Sequence, residues 1–120
     1  MANDSYHEAL EVLSGDTREM HRALVSLMEE LEAIDWYQQR ADACSDEQLK
    51  GMLLHNKNEE IEHASMLLEW IRRHSESFDT MLRKYLFSEE AIAGVGHEHA
   101  GEEAKAPVVE TLGIGSMKGK

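Results

Sequence analysis

Residues 49–70 read LKGMLLHNKNEEIEHASMLLEW, and the fold turns on how that stretch is phased. Leu49, Leu53, Asn56, Glu60, His63, Leu67 and Trp70 recur at alternating steps of four and three. At about 100° per residue those steps trace one line along a helix. A line of that kind is a seam that packs against other helices. Glu60 and His63 occupy its middle, with apolar residues on both sides, and are expected in a dry place. Glu59 and Glu62 point well away and read as solvated charges. The helix is expected to open at Ser45, where Gln48 three residues on completes a capping box. It should extend to about His74 through Leu49, Leu53, Ala64, Leu67 and Ile71.

Working towards the N-terminus, Met20, Leu24, Leu27, Leu31 and Ile34 also recur at three- and four-residue steps, predicting an amphipathic helix from roughly Asp16 to Arg40. A turn or two is expected before it, over Tyr6 to Leu13. Ala41 to Ser45 lacks the pattern and suits a short turn. Two long helices joined that way form an antiparallel hairpin. A shorter third helix is expected from about Phe78 to Phe87, with Ser77 as its N-cap. From Gly94 the pattern collapses into Gly94, Gly96, Gly101, several alanines and Pro107. The expected organisation is therefore a helical domain over 1–93, a flexible linker over 94–110 and a distinct terminal segment over 111–120. A hairpin with one short extra helix leaves an apolar face uncovered. Pairing two hairpins into a four-helix bundle is the simplest remedy, so the fold class is all-α.

Composition narrows the function. The chain has 120 residues with 24 Asp and Glu against 12 Lys and Arg, a formal net charge of −12. Such a field repels nucleic acid and anionic membranes and attracts metal cations. Cys44 is the only cysteine, which rules out an internal disulfide. Met1 to Leu13 is acidic and does not read as a signal peptide. No apolar run of about 18 residues is present to span a membrane. The expectation is a soluble cytoplasmic protein with no nucleic-acid or membrane partner.

The first helix repeats the anomaly of the second. Ala23, Leu27, Glu30, Ile34 and Tyr37 share a line, with Glu30 inside the apolar arc, while Glu29 and Glu32 fall towards the opposite face. Each hairpin thus aims two carboxylates and one imidazole at a region that should exclude water. A buried carboxylate without a partner costs several kcal/mol or neutralises. Divalent cations supply the missing positive charge. Oxygen and imidazole ligands without thiolate suit iron or manganese, with zinc a competitor by affinity. Two hairpins together offer four carboxylates and two imidazoles, the ligand set of di-iron carboxylate bundles. A site built from half-sets forms between two subunits.

With these residues in place, the sequence resembles the encapsulated ferritins of bacteria and archaea. The resemblance is carried by Met28-Glu29-Glu30-Leu31-Glu32-Ala33-Ile34-Asp35-Trp36-Tyr37 and by Asn58-Glu59-Glu60-Ile61-Glu62-His63-Ala64. It implies that Glu30, Glu60 and His63 are ferroxidase ligands and that Glu29 and Glu32 form secondary metal sites on the iron path. It also implies dimers arranged into a ring, commonly a decamer, with no mineral cage of their own. Thr111 to Gly119 is similar to the cargo-loading peptides that dock inside encapsulin shells, with Leu112, Ile114 and Met117 as the apolar anchors.

Other residues have plainer readings. His97 and His99 fall in the linker and read as incidental. His7, His21, His55 and His74 read as surface residues, Met20, Met28, Met52, Met66 and Met81 as packing, and Cys44 as an unpaired thiol. Trp36 and Tyr37 read as packing, Tyr37 lying on the line of Glu30. The function expected is oxidation of Fe(II) to Fe(III) at an inter-subunit di-iron centre, for iron storage within a shell. The rivals are a rubrerythrin-like peroxidase, weakened by the absence of paired cysteines, and a metal-assembled helical adaptor without turnover.

Overall fold

The structure is a computed structural model, and it describes residues 6–94. After a 3₁₀ turn at Leu10–Val12, helix α1 covers Gly15–Ala43, α2 covers Glu47–His74 and α3 covers Glu76–Tyr85, with a second 3₁₀ turn at Ile92–Gly94. No strand occurs among the described residues, and the class is all-α as expected. The linker beyond Gly94 and the terminal segment 111–120, including His97, His99, Leu112, Ile114 and Met117, lie outside the described residues.

Helix α1 starts where its cap allows. The Ser14 hydroxyl accepts the Thr17 N–H at 3.1 Å, satisfying one of the donors that a helix N-terminus leaves over. The helix then continues to Ala43, three residues past the expected end at Arg40. Ala41 explains the extension. It lies two turns beyond Ile34 on the same face and is buried, a small residue that continues the packing line without advertising it as apolar.

The turn is consequently only Cys44, Ser45 and Asp46, and α2 opens one residue later than the Ser45–Gln48 box implied. Asp46 is the N-cap: its backbone is extended, and its carboxylate accepts the Leu49 N–H at 2.8 Å. A carboxylate there also complements the positive end of the helix dipole, which a serine hydroxyl cannot do. Helix α2 ends at His74, because Ser75 is extended.

Two units divide between Glu76 and Ser77, the first Met1–Glu76 and the second Ser77–Lys120. In the first, a three-residue connection forces α1 and α2 into an antiparallel hairpin. Contacts descend along one helix as they ascend along the other, with His63 beside Glu30 and Lys57 beside Gln38. Helix α3 begins at Glu76, so Ser77 lies inside it and is not its cap. It stops at Tyr85, two residues short of the expected Phe87, whose φ of 63° is left-handed and ends the helix. An L residue with a large side chain adopts that conformation at a cost of about 1–2 kcal/mol.

Two helices cannot enclose a core. The buried apolar residues of the hairpin are Ala23, Ala41, Ala64 and Ile71. Meanwhile Met28, Leu31, Trp36, Leu49, Met52, Ile61 and Met66 are exposed. Three of the four buried residues are alanines, whose burial removes little apolar area from water. The hairpin by itself therefore remains open-faced, as its sequence pattern implied.

Candidate metal centre

The middle of the hairpin carries the polar residues that broke the apolar pattern. Glu30 projects from α1, and Glu60 and His63 project from one turn of α2, since a spacing of three puts side chains on the same face. His63 Nδ1 lies 3.1 Å from Glu60 Oε1 and 3.7 Å from Glu30 Oε1. One ligand atom from each residue falls within 4.8 Å of the others, and no other group of three such side chains does so among the described residues. A single cation can therefore be reached by all three.

The three groups are electrostatically linked. Glu30 is pushed above the ordinary carboxylate range, first by its hydrogen bond to Glu60, then by burial and by the charge of Glu60. Glu60 moves the other way, chiefly because it accepts from Glu30, with a further contribution from His63. The hydrogen bond between the two carboxyls thus raises one partner and lowers the other. The bond to Glu60 raises His63. Two carboxylates so close cannot both ionise without a counter-charge. A divalent ion is the counter-charge that oxygen and imidazole donors accept best.

One expectation needs correction. The seam is not dry within a single chain: the side chains of Glu30 and Glu60 are each 24% exposed and that of His63 is 46% exposed. Leu53, Asn56, Leu67 and Trp70 are likewise only half-buried, and Leu49 is exposed. The reason is geometric. Ala64 and Ile71 are buried, whereas the line from Leu49 to Trp70 forms the partly exposed lip of the hairpin.

Glu29 and Glu32 lie outside the cluster, Glu29 exposed and Glu32 half-buried. His55 pairs with Glu59 at 3.5 Å on the outer face. His74 stacks on Trp70, with ring centroids 3.8 Å apart. His21, expected at the surface, is half-buried and stacks on Tyr6 at 4.1 Å. Tyr37 and Trp36 lie beneath the Arg40 guanidinium, at 5.4 and 5.8 Å, and Cys44 is unpaired. Sequence reasoning missed Lys57, whose ammonium donates to Gln38 Oε1 at 2.6 Å across the hairpin. No periodicity marks that pair, because both residues are polar and neither lies on the seam.

The sequence pattern of the EncFtn-like family matches residues 5–89. The chain belongs to this family. Among its relatives, the Encapsulated ferritin-like protein of Rhodospirillum rubrum is 47% identical, across 99% of this chain and 91% of that protein. The Ferritin-like protein of Thermotoga maritima is also 47% identical, across 82% of this chain and 86% of that one. A crystal structure of a protein from Nitrosomonas europaea superposes with a TM-score of 0.72 at 56% identity, covering 74% of this chain and 98% of the other. The EncFtn-like match spans all of α1, α2 and α3 and therefore the whole Glu30, Glu60 and His63 group. No helix among the described residues of this EncFtn-like chain is long and apolar enough to cross a membrane.

Proposed function

We propose that this EncFtn-like protein is a ferroxidase whose substrate is Fe(II), oxidised at a centre shared by two copies of the chain. The observation that carries the proposal is the convergence of Glu30, Glu60 and His63 within ligand distance on an open lip of the hairpin. The donor set fits iron. Each copy supplies two carboxylates and one imidazole, and two facing copies supply the four carboxylates and two imidazoles of a di-iron bundle.

In that arrangement, Glu30 and Glu60 attract and orient the two Fe(II) ions. Metal ligation requires these groups deprotonated, so any protons they carry leave as the cations enter. His63 presents Nδ1 towards the same point and fixes the position of each ion. Two Fe(II) ions give up one electron each to dioxygen or peroxide: with two protons, dioxygen becomes hydrogen peroxide and hydrogen peroxide becomes two waters. Pairing the metals lets the oxidant take two electrons at one place and avoids a one-electron radical step. The Fe(III) product leaves, because a ring of hairpins has no closed cavity to hold mineral.

The remaining assignments rest on the family. Glu29 and Glu32 act as secondary iron sites on the way to the centre. The paired chains assemble into a ring, a decamer in the usual form. Leu112, Ile114 and Met117 in 111–120 dock into the wall of an encapsulin shell in the cytoplasm, with 94–110 as the tether. Several tails on one ring give avidity without strong individual contacts.

The test is aerobic Fe(II) oxidation by metal-free protein, followed by ferric absorbance, beside Glu60→Ala and His63→Ala. Wild type is expected to far outrun an iron-only control and both variants to fall towards it. Wild type that binds metal yet oxidises iron no faster than the control would leave a metal-assembled scaffold as the better description.

A further inference from the structure

Beyond the ligands, one polar connection spans the hairpin close to the cluster. The Lys57 ammonium, part-buried, donates to Gln38 Oε1 at 2.6 Å, and Gln38 Nε2 donates to Asp42 Oδ1 at 2.9 Å. The two bonds specify the amide completely. Only its oxygen can meet an ammonium, and only its nitrogen can meet a carboxylate. Asp42, one turn along α1 from Gln38, thus holds the amide so that its oxygen faces α2.

The location of this strut gives it a task. Gln38 is two turns beyond Glu30 on α1, and Lys57 precedes Glu60 by three residues on α2. Both lie between the metal cluster and the turn at Cys44–Asp46. Apart from Ile71, the buried residues of the hairpin are the alanines Ala23, Ala41 and Ala64, which offer little shape to fix the helices lengthwise. Smooth contacts of that kind resist separation of the helices better than they resist sliding. A slip of one residue moves a helix by about 1.5 Å, whereas metal ligands must be held to about 0.5 Å. A short charge-assisted bond from one helix to the other is directional and opposes that slip.

We propose that the Asp42–Gln38–Lys57 strut is a positioning device that holds α2 in the register placing Glu60 and His63 opposite Glu30. It acts through those ligands and touches no metal. The proposal rests on the metal-centre reading above.

The experiment uses the full-length, metal-free chain and Co(II), which dioxygen does not readily oxidise at such a site and whose visible absorption reports its ligands. Lys57→Met and Gln38→Leu should each weaken Co(II) binding about tenfold, the lower end of what removing a ligand-orienting contact costs, and alter the absorption bands. The double variant should be no worse than either single one, because both remove the same bond. Lys57→Arg, which keeps a cationic donor, should recover most of the affinity. Glu69→Gln, on the same helix away from the strut, should lower the melting temperature and leave the Co(II) affinity and spectrum unchanged. Strut variants that melt earlier but bind Co(II) with wild-type affinity and bands would overturn the proposal. Equal Co(II) binding by wild type and Glu60→Ala would instead remove the metal centre itself, and the strut's role with it.

Discussion

At the scale of single residues, the same carboxylate chemistry has two different outcomes in α2. Glu60 meets Glu30 and His63, and the contact drives the two carboxyls apart, Glu30 raised and Glu60 lowered. Glu69 instead meets Arg72 Nε and Nη2 at 2.9 and 2.8 Å and Arg73 Nε at 2.7 Å. That carboxyl is satisfied, and its pKa is lowered to about 2 by the two guanidinium groups. A depressed carboxylate adds stability that is fully present above its unfolded value and is lost as pH falls through its folded value. Glu69→Gln should therefore melt below wild type at pH 6. The gap should close between about pH 4.5 and pH 2, the interval between the two values. Thermal melts by circular dichroism across that range check it, and a gap independent of pH would assign the loss to something other than charge. The arginine pairs separate Glu69, whose charge is met on its own helix, from Glu30 and Glu60, which meet each other across the hairpin.

At the scale of elements, caps decide where the helices begin. Ser45 and Asp46 are adjacent and both are good capping residues, so composition alone leaves the choice open. The observed bond from the Leu49 N–H goes to Asp46. Asp46→Ala should cost about 1 kcal/mol, while Ser45→Ala should change stability by a few tenths at most. Chemical denaturation of the two variants side by side distinguishes them, and equal losses would place the cap back at Ser45. The far end of α3 follows the same logic in reverse. Tyr85 is the last helical residue because Phe87 adopts φ 63°, a conformation that no residue-type preference predicts for phenylalanine.

At the scale of the molecule, an open-faced hairpin makes folding and assembly one problem. Leu31 is 53%, Met52 59% and Met66 62% exposed, and each fully covered side chain of that size is worth roughly 1.5–3 kcal/mol. If a second copy covers part of this surface, as proposed, the folded state contains more than one chain. Its stability must then rise with concentration. The melting temperature should climb steadily over a hundredfold increase in protein, and light scattering should report a mass above that of one chain. A midpoint that ignores concentration would mean that the hairpin is stable alone and that its exposed residues serve another purpose. The same geometry bears on the centre, since Glu30, Glu60 and His63 remain partly wet until the lip is closed.

Much of this protein was legible before any coordinates. The three- and four-residue rhythm placed both long helices, the brief gap between them forced a hairpin, and two carboxylates and an imidazole at positions suited to leucine singled out Glu30, Glu60 and His63. Those inferences hold because helical phase is a local property, set by covalent geometry and readable from spacing. What depended on contacts between distant residues was not legible. The tertiary structure alone decided that Ala41 prolongs α1, that the seam is a half-exposed lip, that His21 lies against Tyr6, and that Lys57 reaches Gln38. In each case the deciding energy comes from a neighbour many residues away, and the spacing of residues along one helix carries no record of it.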